Sequence, residues 1–563
     1  MSDSEPIARA GDRTRWPWPA VTATGVWIAA VTLAYAILAW DRRWITDDAL
    51  IVVRTVREIL AGHGPLYSPF ERAEPTTSTI WMWLLAGCGW ITGANVARLA
   101  LALGGLLSVG GLALALDATR RFWRAGGHRE TLVPAGALVL VAVFPFWDFA
   151  TSGLETGLCQ CWLAAIWWLL VTLRPDGGRR LYLAAVIIGL GPLVRPDFAI
   201  ATFVFLLAAW HLVRPPWRRA LALAGCAVAL PLAYEVFRAG YYGTLVPLPA
   251  LAKSASGSQW ASGARYALRF VKPHLLYVPL AALAVAAAQH RGVLQRRVAL
   301  LAAPIATAVL HAVFVIRVGG DFMHGRMLLP ATLLCIAPLL VIPVRRAAAP
   351  VLLVLGAWTL FVAIRAFTRD KPVPSDERAG YQRYTHQRNP TTEADYIAVM
   401  PGVAAQITAA IRDGRRRVFN DGPGDLAMSP AYQVPAILVA GRLGLGGALV
   451  PLDAIVVDSF GLANPLGARI TRTLPGHIAH EKLLPQAWVL ADFADPSATD
   501  GTPAAEIAAA RHAMTCGDLA ELLASVRAPL TAARFWANLT GSLRRTLLVI
   551  PANPVEAERQ LCR

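Results

Sequence analysis

Apolar runs of about 20 residues recur along the first two thirds of the chain, and they restrict its fold more than any other feature. A helix of that length crosses the hydrocarbon core of a bilayer. With 56% hydrophobic residues, the chain is also too apolar for an ordinary soluble enzyme. We therefore predict a polytopic α-helical membrane protein. The runs lie near residues 20–40, 78–94, 98–117, 131–147, 156–173, 181–194, 198–213, 220–238, 274–289, 298–316, 327–344 and 350–367.

Arginine clusters between the runs predict which of them cross the membrane. If each cluster is cytoplasmic, every second connection from residue 118 onward faces inward. With Met1 inside and Asp47 outside, an odd number of crossings must precede Arg120, but two runs do. We therefore expect the shorter, tryptophan-rich run 78–94 to lie in the membrane interface, which leaves about 11 transmembrane helices. The clusters are Arg120, Arg121, Arg124 and Arg129; Arg174, Arg179 and Arg180; Arg214, Arg218 and Arg219; Arg291, Arg296 and Arg297; and Arg345 and Arg346.

These clusters also account for much of the net charge of +17, so we expect no nucleic-acid partner. The predicted topology places the short polar motifs on the outer face, in connections 41–77, 147–156, 194–198, 239–273 and 318–327. The inner connections hold little besides arginine, proline and glycine. We expect a multi-pass protein of the plasma (inner) membrane with its site on the outer, periplasmic face.

The hydrophobic pattern changes near residue 369 and divides the chain into two predicted domains. Residues 1–368 form the transmembrane domain, and residues 369–563 form a C-terminal mixed α/β extracytoplasmic domain. Strands are expected near 434–440 and 453–457, and helices near 502–513 and 518–526. In this outer domain Cys516 and Cys562 form a disulfide or remain two reduced, buried thiols. The other five cysteines lie in apolar runs and have no spacing typical of metal ligands beyond a weak Cys-x-Cys.

The adjacent acids Asp47 and Asp48 directly follow the first apolar run, so both carboxylates lie at a membrane surface. Carboxylates in such a position are candidates for a functional site. Alternatively, the two acids only cap the next helix, because Asp is favoured at helix N-caps. The other polar motifs favour the functional interpretation.

Three further outer connections carry acids and arginines, and together with Asp47 and Asp48 they suit an anionic, sugar-bearing lipid. Arginines pair well with phosphate. Carboxylates orient hydroxyls, take a proton from an attacking hydroxyl or hold a divalent metal. The candidates for the donor phosphate and sugar are Arg195, Asp197, Asp321, His324 and Arg326. The candidates for the acceptor or a lid are Thr77, Ser78, Asp148, His477, His480 and Glu481.

Each of these residues also has a structural interpretation, which stays open at this point. Arg195 and Asp197 could form an ion pair within a helix-end turn. Asp321 and Asp148 could cap helices. Thr77 and Ser78 could cap the interfacial helix. The histidines and Glu481 of the stretch 475–482 could form a second metal cluster or a loop over the site.

The combined motifs resemble the mycobacterial terminal β-(1→2) arabinofuranosyltransferase (AftB) family of the GT-C glycosyltransferases. The similarity extends over nearly the whole chain. It is carried by residues 43–57 (RWITDDALIVVRTVR), 64–65, 71–79 (ERAEPTTST), 148–157 (DFATSGLETG), 194–197 (VRPD), 319–326 (GGDFMHGR), 458–465 (DSFGLANP) and 475–482 (PGHIAHEK).

The resemblance implies a GT-C fold and a defined reaction. The donor would be decaprenyl-phosphoryl-arabinose, and the acceptor an arabinan terminus of arabinogalactan or lipoarabinomannan. A β-linked donor that gives a β-(1→2) product requires net retention, by double displacement or by front-face attack. Asp47 and Asp48 would then be catalytic without a fixed role. A divalent cation bound by them is compatible with this chemistry but is not required.

Two other functions fit part of the same pattern. Another GT-C transferase, such as a mannosyltransferase that uses a polyprenyl-phosphate sugar, would show the same acids and arginines on its outer face. A lipid transporter or flippase fits less well. Its site is expected near the bilayer midplane, and the hydropathy shows no repeat.

Overall fold

The computed structural model describes residues 22–254, 257–344, 346–368, 376–420, 424–475 and 480–563. The molecule is mostly helical, and a small sheet lies in its C-terminal part. The helices before residue 369 are α1 (Ala23–Asp41), α2 (Asp47–Leu60), α3 (Thr79–Thr92), α4 (Val96–Ala125), α5 (Ala137–Ala142), α6 (Pro145–Asp148), α7 (Thr156–Thr172), α8 (Arg179–Gly189), α9 (Gly191–Val194), α10 (Ala199–Val213), α11 (Trp217–Tyr241), α12 (Leu248–Ala252), α13 (Trp260–His274), α14 (Tyr277–Gln289), α15 (Arg291–Arg296), α16 (Val298–Arg317), α17 (Leu329–Ile336) and α18 (Ala349–Thr368).

Six helices of the described ranges are long and apolar enough to cross a membrane. They are α1, α4, the segment Pro196–Val213 that contains α10, α11, α16, and Ala349–Ala366 within α18. Two bent pairs raise the number to eight if each pair is one span: Pro145–Thr151 with α7, bent by 114°, and α13 with α14, bent by 77°. The predicted helical, membrane-compatible architecture is confirmed, whereas the number of eleven spans stays a prediction.

Among the runs that the sequence predicted as spans, 131–147 and 327–344 contain β-strands and are not continuous helices. The run 131–147 forms strand β1 (Leu132–Val133), α5 and α6. The run 327–344 forms α17 and strand β2 (Ile342–Pro343), which pairs antiparallel with β1. Both runs contain internal prolines, which lack the backbone N–H of a continuous helix and interrupt it.

The run 78–94 forms only the short helix α3. Its 14 residues extend over about 21 Å, which is less than the roughly 30 Å of a bilayer's hydrocarbon core. Its length therefore suits a helix that does not cross, as the arginine pattern predicted.

The C-terminal part, which here means the described residues from Asp376 onward, contains a four-stranded sheet and further helices. The strands have the order β4-β3-β5-β6, and only the β3–β4 pair is antiparallel. The four elements predicted from the sequence are confirmed as β5, β6, α24 and α25. The strands are β3 (Arg417–Asn420), β4 (Asp425–Ala427), β5 (Ala436–Ala440) and β6 (Ile455–Asp458), and the helices are α19 (Glu377–Thr385), α20 (Glu393–Ile397), α21 (Pro401–Arg412), α22 (Leu443–Leu449), α23 (Gln486–Phe493), α24 (Ala504–Ala513), α25 (Gly517–Arg527), α26 (Ala532–Leu547) and α27 (Pro554–Leu561).

Cys516 and Cys562 form a disulfide, so this one of the two alternatives is confirmed. The bond joins the start of α25 to the end of α27. It therefore fixes the last helix of the chain to the packed helices before it.

Helix α2 connects the C-terminal part to the membrane-compatible helices. The guanidinium of Arg54 is buried and donates hydrogen bonds to backbone carbonyls of the segment 447–454, at 2.8 Å to Gly447 and 3.1 Å to Ala454. The hydroxyl of Tyr67 donates to the carbonyl of Leu443. Ile51 and Tyr67 also pack into the same hydrophobic cluster as β5 and β6. The C-terminal part is therefore held on α2 by buried polar and apolar contacts together.

Candidate active site

Helix α2 begins at the two acids that the sequence analysis singled out. Its N-cap is Thr46, whose hydroxyl accepts a hydrogen bond from the Ala49 N–H at 2.9 Å. The interpretation that Asp47 and Asp48 serve only as the helix cap is therefore wrong, because Thr46 has that role. Both carboxyl groups lie in the first turn, where the helix dipole favours negative charge.

Asp47 and Asp48 line a cavity of about 220 Å³ between the membrane-compatible helices and the C-terminal part. The cavity brings together charged residues from all five outer connections predicted from the sequence. Its charged or ionisable lining residues are Asp47, Asp48, Glu155, Arg195, Asp197, Lys253, Asp321, Arg326 and His480.

Asp47 is held by the backbone of helix α22. Its Oδ1 accepts a hydrogen bond from the Leu445 N–H at 2.7 Å. Gly444 approaches the Asp47 carbonyl so closely that a Cβ at this position would lie 1.9 Å from the oxygen. Burial, and next the negative charge of Asp48, raise the pKa of Asp47 to about 7. A pKa near 7 suits a general acid or base at neutral pH.

Asp48 faces a cation that is shared between two acids. Its Oδ2 lies 4.0 Å from Nη1 of Arg326, and Nη2 of Arg326 lies 2.6 Å from Oδ2 of Asp321. Burial raises the pKa of Asp48, although the charge of Arg326 opposes this. Burial would also raise the pKa of Asp321, but Arg326 and then Lys253 outweigh it and hold that pKa below its ordinary value. Asp321 is not the N-cap residue of any helix in the described ranges; its Oδ1 accepts from the N–H of Phe322.

A second ion pair closes another side of the cavity. Nε of Arg195 donates to Oδ1 of Asp197 at 3.0 Å, and Nη1 lies 3.6 Å from Oε1 of Glu155. The other oxygen of Asp197 lies 2.8 Å from Nε2 of His311. The predicted helix-end ion pair is thus present, and the same residues line the cavity. The structural and functional interpretations of this motif do not exclude each other.

Two charged residues near these acids were not among the candidates predicted from the sequence. Lys253 follows α12 and lines the cavity, and its ammonium has no hydrogen bond to a protein group in the described ranges. Glu377 starts α19; burial, and then the charge of Asp48, raise its pKa well above the ordinary value. The position of Lys253 in the predicted outer connection 239–273 was the available signal for it.

Several predicted site residues lie outside the cavity. Asp148 and His324 pair with each other at 3.2 Å, and Arg42 donates to Asp148 at 2.9 Å. Neither Asp148 nor His324 lines the cavity. Their predicted roles in the acceptor and donor sites stay predictions.

Of the remaining residues predicted for the acceptor or a lid, some line the cavity and others do not. Thr77 and His480 line the cavity, and the ring of His480 lies between those of Phe322 and Phe460. Ser78 is buried and does not line the cavity. Glu481 lies 3.5 Å from Arg472 and does not line it either. His477 lies outside the described residues.

The side chains around Asp47 and Asp48 are poorly suited to bind a metal ion. The described residues contain two groups of three potential ligands within 4.8 Å, and neither includes Asp47 or Asp48. One combines Asp148 and His324 with Asp376, and the other combines His512 with the two disulfide cysteines. Arg326 already supplies a positive charge beside Asp48. The metal role predicted for Asp47 and Asp48 stays a prediction.

Comparisons with known proteins identify relatives over nearly the whole length. The model of the AftB family C-terminal domain matches residues 409–558. The terminal β-(1→2)-arabinofuranosyltransferase of Mycobacterium tuberculosis is 35% identical, over 92% of this chain and 94% of its own. The protein of the same name from Corynebacterium glutamicum is 33% identical, over 96% of this chain and 90% of its own. No solved structure matches.

Proposed function

The chain belongs to the AftB family of terminal β-(1→2)-arabinofuranosyltransferases, and we propose that it transfers D-arabinofuranose from decaprenyl-phosphoryl-arabinose to arabinan termini. The acceptor is the arabinan of arabinogalactan or lipoarabinomannan, and the new bond is β-(1→2) with net retention. The names of the two relatives support an arabinofuranosyltransferase. The polyprenyl-phosphate donor rests on the family resemblance and on the chemistry of the cavity.

One observation carries the proposal: a single cavity combines an acid whose pKa is about 7 with cations suited to a phosphate. In the proposed complex, Arg326 and Lys253 contact the leaving phosphate and offset its charge. Arg195 forms the second ion pair with Asp197, and the two side chains together orient the head group. The apolar donor chain stays in the lipid.

Asp47 is proposed to act as the base that takes the proton of the acceptor hydroxyl. Its pKa of about 7 allows the carboxylate to accept a proton near neutral pH. Asp48 lies on the same turn but faces Arg326, so it is proposed to stabilise positive charge that develops on the sugar ring. Net retention then proceeds by one of two routes. In double displacement a carboxylate attacks the anomeric carbon as the phosphate leaves, and the acceptor hydroxyl displaces that carboxylate in a second step. In front-face attack the acceptor hydroxyl adds on the side from which the phosphate leaves, and the leaving phosphate helps to take its proton.

The proposal extends to topology and domains. Eleven spans of the GT-C type, with the cavity on the outer face, bring a lipid-borne donor and an extracellular acceptor to the same place. The division at residue 368 then separates a transmembrane domain from an outer domain. That outer domain supplies α22 as one wall of the cavity.

The test compares the purified wild type with Asp47→Asn and Asp48→Asn variants in arabinose transfer from decaprenyl-phosphoryl-arabinose to a short arabinan. Asp41→Asn is the matched control, because Asp41 is exposed, pairs with the exposed Arg388 and does not line the cavity. We expect transfer by the wild type and the control, and a loss of at least 100-fold in each site variant. If the wild type transferred mannose from polyprenyl-phosphomannose instead of arabinose, the proposed donor would be refuted. Full activity in both variants would refute the site.

A further inference from the structure

A second, strictly apolar groove of about 680 Å³ lies on the outside of the helix bundle. It is bounded by α8, α10 and α11, and its exposed wall includes Phe203, Trp210, Trp217 and Leu221. Each of these four side chains is at least 60% exposed. In an apolar 18-residue window of α11, only 6% of the residues are buried. The groove therefore opens toward lipid rather than toward another part of the chain.

One end of the groove carries a concentration of arginines. Helix α8 begins there, α10 ends there, and α11 begins there again, so the arginines of both connecting turns meet at this end. They are Arg174, Arg179, Arg180, Arg214, Arg218 and Arg219, and the same turns hold one acid, Asp176.

These arginines are unsatisfied by the protein. None of the six has a side-chain hydrogen bond or ion pair within the ranges that the structure describes. Arg218 only lies over the ring of Trp217, at 5.3 Å. By contrast, Arg120 and Arg121 of the neighbouring cluster are both paired with Asp117. An arginine that serves only for topology needs no adjacent groove, whereas these six lie beside one.

The arginine end is far from the catalytic cavity. Asp197 lines that cavity just before α10 begins at Ala199, and α10 ends at Val213, beside the groove. Fourteen steps along a helix correspond to about 21 Å. A phosphate at the arginine end is therefore not the phosphate of a donor that reacts at Asp47 and Asp48.

We propose that this groove binds a phospholipid with an anionic head group. An acyl chain lies along the aromatic and aliphatic wall, and the lipid phosphate pairs with the free guanidinium groups, to which a phosphate is well matched. The charge of the six arginines selects an anionic lipid over a zwitterionic one, and the groove fixes its position among the lipids around the protein.

The test uses the full-length protein in phosphatidylcholine nanodiscs, titrated with phosphatidylglycerol that carries a photoreactive acyl chain. We expect crosslinks within 203–221 and binding at least tenfold tighter than for the matching phosphatidylcholine probe. The double variant Arg179→Gln/Arg180→Gln should weaken binding by about 25-fold, at about fivefold per arginine. The paired arginines provide the control, and Arg120→Gln/Arg121→Gln should bind as the wild type does.

A second pair of variants tests the groove without changing its charge. Ala224 is exposed and lines the groove, and the exposed Ala222 does not. Ala224→Trp should fill the groove and abolish the crosslinks, whereas Ala222→Trp should leave them. Equal binding of both lipids would refute the proposal in favour of ordinary surrounding lipid. Displacement of the probe by equimolar decaprenyl phosphate would refute it in favour of the donor chain.

Discussion

The buried guanidinium of Arg54 offers the sharpest test of how the C-terminal part is held on α2. Arg54→Met keeps the apolar stem of the side chain but removes all of its N–H donors. Five carbonyls then lose a charged partner at 2.8–3.2 Å. They belong to Tyr67, Gly447, Val450, Pro451 and Ala454.

The expected cost follows from these five bonds. If water reaches about half of the carbonyls, the two or three that stay dry lose roughly 1–2 kcal/mol each. The total of about 3–4 kcal/mol agrees with the usual cost of removing one partner from a buried charged network. At about 1.4 kcal/mol per factor of ten, the interface should open 100 to 1,000 times more often.

Hydrogen exchange in the full-length protein measures this opening directly. Amide protection in segment 443–458 should fall by two to three decades in Arg54→Met. Arg57→Met is the matched control on the same helix, because Arg57 is 40% exposed and lies 3.8 Å from Glu393. Its protection should change by no more than about twofold. Equal protection in both variants would refute the reasoning that Arg54 holds this interface.

Three further predictions concern the cavity and the disulfide. Lys253→Gln should lower kcat/KM for the donor by about 10- to 100-fold, because a charge-assisted contact to phosphate is lost. Lys272 is exposed, and Lys272→Gln should leave kcat/KM unchanged. Equal losses of kcat/KM in the two variants would contradict the role of Lys253. Because the pKa of Asp47 is about 7 and its carboxylate is the proposed base, transfer should rise with pH through 7 and be about tenfold lower at pH 6 than at the plateau; a flat profile from pH 5 to 8 would contradict this. Cys516→Ser opens a disulfide that spans 46 residues and should destabilise the C-terminal helices by about 2–4 kcal/mol in thermal unfolding, unlike Cys335→Ser.

Much of the fold could be read from the sequence because it depends on local pattern. Length and apolarity identified α1, α4, α11 and α16, and short β-branched runs identified β5 and β6. Prolines alone could not show that runs 131–147 and 327–344 are interrupted, because Pro231 and Pro304 lie inside the continuous helices α11 and α16. The pairing of β1 with β2 was not predictable, because it joins residues more than 200 positions apart.

The candidate site was predictable only in part, for a similar reason. Asp48, Arg195, Asp197 and Arg326 meet in the cavity as their shared outer placement suggested. Asp148 carries the same kind of local signal, but packing turns its carboxylate toward Arg42. The Leu445 N–H that holds Asp47 is a backbone donor 398 residues further along, so no side-chain motif reports it.

The close contact between Gly444 and the backbone of Asp47 has a consequence for exchanging parts among family members. One wall of the cavity comes from each half of the chain, and the two walls touch with no room for a Cβ. A chimera joined near residue 369 would combine a wall from one parent with an acid-bearing turn from another. Such hybrids should be active only when α2 and segment 441–462 come from the same parent. The part that must be exchanged as one unit therefore includes residues on both sides of the predicted domain boundary near residue 369.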